Sequence, residues 1–317
     1  MKVIVTGGAG FLGSHLCEKL LTQGHQVICI DNLLTGSKKN IEGLKQNPDF
    51  KFLNYDVIKP LPDDLEADEV FHFASPASPN THSEKSYHAL AFETMQINTL
   101  GTWNLAEWCI KKQAKLLFAS TSEIYGDPLE HPQKESYRGN VSTTGPRSVY
   151  DEAKRFGETI LSAFVRSKGL DGRIIRIFNT YGPKMAPDDG RVVTEFIKAA
   201  LSNEPFPIFG DGTQSRSFCY VSDLIEGVIL AMEKGPSGEV YNLGNPHEFT
   251  VIELAQKIKE LTRSSSEIVT KEPLPEDDPL QRCPDITKAK NELGWEVKIE
   301  LEEGLEKTIS YYRDENK

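Results

Sequence analysis

The sequence predicts an α/β protein built on a doubly wound parallel sheet, with a smaller C-terminal α/β lobe. Three observations lead there. Short apolar runs alternate with helical patterns through the first two-thirds of the chain. Several of those runs are apolar almost throughout, as strands are when both faces of a parallel sheet are covered. A glycine-rich turn, Thr6-Gly7-Gly8-Ala9-Gly10-Phe11-Leu12-Gly13, joins the first run to the first helical pattern.

Strands are expected at Val3–Val5, Gln26–Ile30, Phe50–Leu53, Val70–Phe73, Lys115–Ala119 and Arg173–Phe178. Helices are expected at Phe11–Gln23, Glu93–Lys111 and Val149–Ser167. Alternating β and α elements of this kind make the strands parallel. After Asn179 the texture changes. Residues 181–191 hold two prolines, two glycines and two aspartates and read as a loop. Thr250-Val251-Ile252-Glu253 matches a capping box, and Ile252, Leu254, Ala255, Ile258 and Leu261 follow at helical spacing. Residues 264–285 are rich in Ser, Pro and Asp and read as a long loop. Asn291-Glu292-Leu293-Gly294 reads as a helix end capped by glycine.

The 317 residues give room for a sizeable core, and the formal charge of −11 argues against nucleic acid or an anionic membrane as partner. The cysteines at 17, 29, 109, 219 and 283 are odd in number and form no CxxC pair. That pattern predicts reduced thiols, a cytoplasmic protein and no metal site. No apolar run is long enough to span a bilayer, and Lys2-Val3-Ile4-Val5 leads straight into a strand, so no signal peptide is expected.

The glycine turn matches both GxxGxxG (7, 10, 13) and GxGxxG (8, 10, 13). Glycines there allow backbone N–H groups at a helix start to approach a pyrophosphate. Asp31 closes the second strand, where a carboxylate accepts from an adenosine ribose 2′-hydroxyl and repels a 2′-phosphate. The turn therefore predicts NAD rather than NADP.

Tyr150-Asp151-Glu152-Ala153-Lys154 puts a phenol and an ammonium on one helical face. A nearby Lys charge favours the phenolate, which could take a proton from a sugar hydroxyl. Ser120-Thr121-Ser122-Glu123 offers hydroxyls to hold that sugar and one carboxylate for further proton work. The same spacing recurs at Tyr55 and Lys59, but there it runs from a strand into Pro60 rather than along a helix. Asp56 and Val57 are expected to border the adenine.

Together these segments resemble the extended short-chain dehydrogenase/reductase superfamily, over nearly the whole chain. The resemblance implies a Rossmann-type NAD-binding domain at residues 1–178, joined by about 213–245, and a nucleotide-sugar-binding lobe at 179–212 and 246–317. It implies that retained NAD oxidises a sugar hydroxyl and usually returns the hydride. Cofactor contacts are implied at Gly7, Gly10, Phe11, Leu12, Gly13, Asp31, Asn32, Thr35, Gly36, Asp56, Val57, Ala74, Asn98, Tyr150 and Lys154. Thr121 matches the residue that hydrogen-bonds the reacting hydroxyl.

Within that superfamily, Ser122-Glu123 is similar to the UDP-glucuronate decarboxylases. A hydroxyl at 122 is too weak an acid for a dTDP-glucose-type 4,6-dehydratase, and a 4-epimerase usually has a small or apolar residue at 123. Segments that include Ala74-Ser75-Pro76-Ala77-Ser78-Pro79, Gly145-Pro146-Arg147, Asp189-Gly190-Arg191 and Asp277-Asp278-Pro279-Leu280-Gln281-Arg282 look like the same group. Asn80–His88 and Ser142–Gly145 depart from its pattern. The resemblance implies conversion of UDP-glucuronate to UDP-xylose through a 4-keto sugar, with Thr121, Ser122, Glu123, Tyr150, Lys154 and Arg282 in catalysis. Arg282 suits orienting a water or the carboxylate better than acting as an acid. Ser78, Asn179, Arg191, Phe209, Gln214, Arg216 and Arg282 are implied substrate contacts, and helices near 93–111 and 149–167 an implied homodimer interface. The alternatives are a 4,6-dehydratase or 4-epimerase on the same scaffold, and a non-catalytic nucleotide-sugar or NAD sensor.

Overall fold

The structure is a computed structural model that describes residues 1–272 and 279–315. Asp277 and Asp278 lie outside the described residues.

The first half runs β1 (Lys2–Thr6), α1 (Phe11–Thr22), β2 (Gln26–Asp31), β3 (Phe50–Asn54), β4 (Glu69–His72), α2 (Ala91–Gln96), α3 (Thr102–Lys112), β5 (Lys115–Thr121), α4 (Ser148–Lys168) and β6 (Gly172–Ile177). There follow β7 (Thr180–Tyr181), α5 (Val192–Ser202), β8 (Phe206–Phe209), β9 (Ser215–Ser217), β10 (Cys219–Tyr220), α6 (Val221–Lys234) and β11 (Val240–Leu243). The chain closes with β12 (Glu248–Thr250), α7 (Val251–Thr262), β13 (Ile268–Glu272), β14 (Gln281–Arg282) and α8 (Leu301–Glu315).

Seven parallel strands form one sheet in the order β11-β6-β5-β4-β1-β2-β3. Strand order reverses between β1 and β4, which opens a crevice beyond their C-terminal ends. The continuous apolar runs have their explanation in the core. Val3, Val5, Leu117 and Ala119 pack on one face with α1 and α6. Ile4, Leu116 and Phe118 pack on the other with α3 and α4. Neighbouring residues of one strand thus serve opposite layers, and neither face meets water.

Two expectations need correction. The helix expected over Glu93–Lys111 is α2 and α3 joined by a π-helical turn, Ile97–Gly101. Residues 264–285 are not one long loop: β13 pairs in parallel with β8, and β14 with β9. These short strands find partners far back in the chain, so local composition carries no trace of them. The capping box at Thr250 is present, and Gly294 ends its helix with a φ of +70°.

Candidate active site

The glycine turn ends β1 and caps α1 at Gly10. A Cβ at Gly13 would lie 2.1 Å from Gly7 O, and one at Gly7 would lie 2.6 Å from Ala74 N. Gly7 also has a φ of +71°. Any side chain at either position would break the turn. Asp31, at the end of β2, accepts from Ala9 N at 3.0 Å and from Leu33 N at 2.8 Å. A carboxylate offers about four acceptor sites, so Asp31 retains capacity for a ribose diol. A Cβ at Gly36 would come within 2.8 Å of both its oxygens. Asn32 Nδ2 donates to Asp56 Oδ2 at 3.1 Å, tying the ends of β2 and β3. This cradle fits NAD.

A cleft of about 1570 Å³ runs over the sheet's C-terminal edge. Gly7, Gly10, Phe11, Leu12, Gly13, Asp31, Asn32, Thr35, Gly36, Asp56, Val57 and Ala74 line it, as do Thr121, Ser122, Glu123, Tyr150 and Lys154. So do Ser78, Asn179, Arg191, Phe209, Gln214, Arg216 and Arg282. Asn98 does not line it. It is fully buried on the π-helical turn and donates to Ser75 Oγ at 2.9 Å and to Thr94 O at 2.8 Å. Its reach into the cleft is through Ser75, which does line it.

Tyr150 and Lys154 sit one turn apart on α4, as their spacing requires. Lys154 Nζ lies 5.8 Å from the Tyr150 ring centre and donates to Ala119 O at 2.7 Å. The expected lowering of the phenol is absent. Burial pushes Tyr150 up to about 12, against the pull of Arg191 and a hydrogen bond with Thr121. Burial also pushes Lys154 down to about 7, which weakens the cation expected to stabilise the phenolate.

Glu123 is not a free proton carrier. Its Oε2 accepts from Arg147 Nη2 at 2.6 Å, and its Oε1 pairs with Arg282 Nη1. Burial alone would raise this carboxyl, but Arg147 and Arg282 outweigh it and hold it well below the usual carboxylate range. Arg282 Nη2 also reaches Gly126 O at 3.4 Å, while its Nε is buried without a partner among the described residues.

The remaining expected polar contacts are held mostly by backbone carbonyls, with a carboxylate added at Arg191. Arg191 bonds Asp189 at 2.6 Å and Ala77 O at 2.9 Å. Arg216 donates to Pro279 O at 2.5 Å and Ser215 O at 2.8 Å. Gln214 Nε2 donates to Phe209 O at 2.8 Å, leaving its Oε1 buried without a partner among the described residues. Ser78 Oγ donates to Asp189 O at 2.5 Å, and Asn179 Nδ2 to Ser217 O at 3.4 Å.

Three residues at this site escaped the sequence reading. Arg147 was visible only as part of a resembling tripeptide. Tyr87 stacks on Tyr150 with ring centres 5.0 Å apart, and its buried hydroxyl has no partner among the described residues. It lies in a stretch that departs from the decarboxylase pattern. Asp151, beside Tyr150, is pushed up to about 8, first by burial and then by Glu123.

A family model, the NAD dependent epimerase/dehydratase family, matches residues 3–244. The chain belongs to that family. NAD is its cofactor, and the glycine cradle is where this family member can hold it. The chain is 49% identical over 314 residues to UDP-glucuronic acid decarboxylase 1 of Arabidopsis thaliana, covering 99% of this chain and 70% of that protein. Its fold matches UDP-glucose 4-epimerase of Thermotoga maritima, solved with UDP-glucose, at a TM-score of 0.87 and 34% identity over the full length of both chains. It also matches UDP-glucuronic acid 4-epimerase of Bacillus cereus, solved with UDP-glucuronic acid and NAD, at a TM-score of 0.85 and 29% identity over 99% of each chain. No helix among the described residues is long and apolar enough to cross a membrane.

Proposed function

We propose that this protein is an NAD-dependent decarboxylase that converts UDP-glucuronate to UDP-xylose with no net redox change. The observation that carries this reading is the Glu123 carboxylate closed between Arg147 and Arg282 on the cleft wall. Two guanidiniums against one carboxylate leave a net positive charge, which suits a uronate. A 4,6-dehydratase needs an acid where Ser122 stands. A 4-epimerase has no use for a carboxylate locked between two arginines.

NAD held on the Gly7–Gly13 turn and Asp31 would supply a reversible hydride acceptor for C4. Tyr150 takes the C4 hydroxyl proton, with Thr121 as its hydrogen-bond partner. Lys154, anchored on Ala119 O and 5.8 Å from the ring centre, supplies the phenolate with positive charge only in its protonated form, which burial disfavours. The C6 carboxylate is now β to a ketone, so CO2 leaves with its electron pair delocalised onto the C4 oxygen. Arg147 and Arg282 orient that carboxylate, and Glu123 fixes the arginines. Arg282 also positions the water that delivers a proton to C5, with Ser122 beside it. Tyr150 finally returns its proton to the C4 oxygen.

NAD lies on residues 1–178 with 213–245, and 179–212 with 246–317 close over the UDP-sugar. Asn179, Arg191, Gln214 and Arg216 take the diphosphate and ribose, Ser78 the sugar, and Phe209 the uracil. Phe92, Met95, Leu100, Trp103 and Phe156 are exposed on α2, the π-helical turn, α3 and α4. Such a patch suits pairing with a second copy, giving a homodimer whose mass light scattering would read. All five cysteines are free and buried, in keeping with a cytoplasmic protein.

Incubation with UDP-glucuronate and NAD tests the reading. CO2 and UDP-xylose are the expected products. Accumulation of the 4-epimer without CO2 would replace this reading with an epimerase.

A further inference from the structure

Away from the cleft, three side chains with different donor atoms converge. A His131 ring nitrogen, a Glu248 carboxylate oxygen and Cys283 Sγ all lie within 4.8 Å of one another. They come from three segments: the loop after β5, strand β12, and the residue following β14. None of the three lines the cleft. The sequence reading expected no metal because the cysteines lack paired spacing. Ligands drawn from three distant segments leave no such spacing to find.

We propose that His131, Glu248 and Cys283 form a site for a thiophilic divalent cation, zinc above all. Imidazole nitrogen, carboxylate oxygen and thiolate sulfur are zinc ligands, whereas magnesium and calcium take oxygen. Three protein ligands leave a fourth tetrahedral position for water. The His131 and Glu248 side chains are 29% and 26% exposed, which gives an ion a way in. With neutral imidazole, carboxylate and thiolate, the bound dication is charge-balanced.

The ligands are also held in advance. Gln133 N donates to Cys283 O at 2.8 Å, and Cys283 N donates to Gln133 Oε1 at 2.9 Å. This reciprocal pair fixes Cys283 beside the His131 loop. Glu248 Oε1 accepts from Ser215 Oγ at 2.7 Å, which orients the carboxylate and leaves Oε2 toward His131. The His131–Glu248 separation of 2.7 Å is a hydrogen bond, so an ion enters by displacing that proton, which leaves to solvent or shifts to the other ring nitrogen. Cys283 Sγ now donates to Pro246 O at 3.2 Å, and its proton leaves to solvent as the metal–sulfur bond forms.

The site adjoins the cleft wall along the chain, because Cys283 directly follows Arg282. The test, however, concerns binding alone. The metal-free full-length chain is titrated with cobalt(II) and followed by absorbance. One equivalent should bind with a thiolate-to-cobalt charge-transfer band, and zinc should displace it. Cys283→Ser should abolish the band, and His131→Asn should weaken cobalt binding at least about tenfold. Metal-free thermal unfolding of both variants should match the wild type. Absence of the band, or a band unchanged in Cys283→Ser, overturns the proposal. Should Cys283→Ser not fold, undiminished cobalt affinity in His131→Asn overturns it.

Discussion

Arg147 Nη2 lies 2.6 Å from Glu123 Oε2, closing a part-buried triad whose other arm, Arg282, is buried. The three residues come from the turn after β5, the entry to α4 and the end of β14. Removing the central carboxylate leaves two cations facing each other in low dielectric. Glu123→Ala should therefore lose about 3–5 kcal/mol in urea unfolding. Decarboxylation should be lost with it, and UDP-glucuronate should restore more stability to the variant than UDP-glucose does. A variant as stable as the parent would mean that the triad carries no structural weight.

Tyr150→Phe keeps the ring that stacks on Tyr87 and removes only the proton-carrying oxygen. Turnover should fall by about 10²–10⁴-fold, the usual contribution of a positioned acid/base, with the unfolding midpoint and NAD binding unchanged. A sensor protein would show no such split between binding and turnover.

Arg147→Ala tests who recognises the uronate. A hydrogen bond to a charged group contributes about 1.5–3 kcal/mol. The preference for UDP-glucuronate over UDP-glucose, measured as a ratio of dissociation constants, should drop by roughly 10- to 100-fold. Equal weakening of both ligands would assign Arg147 to the fold alone.

Asp151 gives a pH signature. Its carboxyl is raised to about 8 in the folded protein from an ordinary value of 3.8. The folded chain therefore holds a proton that the unfolded chain releases, and stability falls as pH rises from about 4 to 8. Asp151→Asn should flatten that slope, gaining more than about 1 kcal/mol relative to wild type at pH 8 over pH 4 in urea titrations. Lys154 contributes the opposite slope, from about 7 up to its ordinary 10.5, in both proteins alike. A slope unaltered by the substitution would place the titration elsewhere.

Much of this was legible in the residues. The apolar runs of β1, β2 and β4 to β6 announced a sheet covered on both faces, and Gly7, Gly10 and Gly13 announced a turn with no room for side chains. What stayed hidden depends on distance along the chain. Arg282 meets Glu123 across 159 positions, and β14 exists only because β9 is there to pair with it. Tyr150 was misjudged for a different reason. Helical spacing places a lysine beside a tyrosine, but it does not say that both will be stripped of water. Burial then moves the two groups toward neutrality rather than toward an ion pair.

The two-arginine, one-carboxylate wall also distinguishes what enters from what leaves. In the proposed reaction a uronate arrives as an anion and cancels the excess charge of the trio. Carbon dioxide departs uncharged, so after C5 is protonated the same wall faces a pentose that has nothing to offer it. Substrate and product share their nucleotide and differ by one carboxylate. A site whose attraction is concentrated on that group loses its hold on the sugar at the step that finishes the chemistry, and the reaction is thereby given a direction of exit.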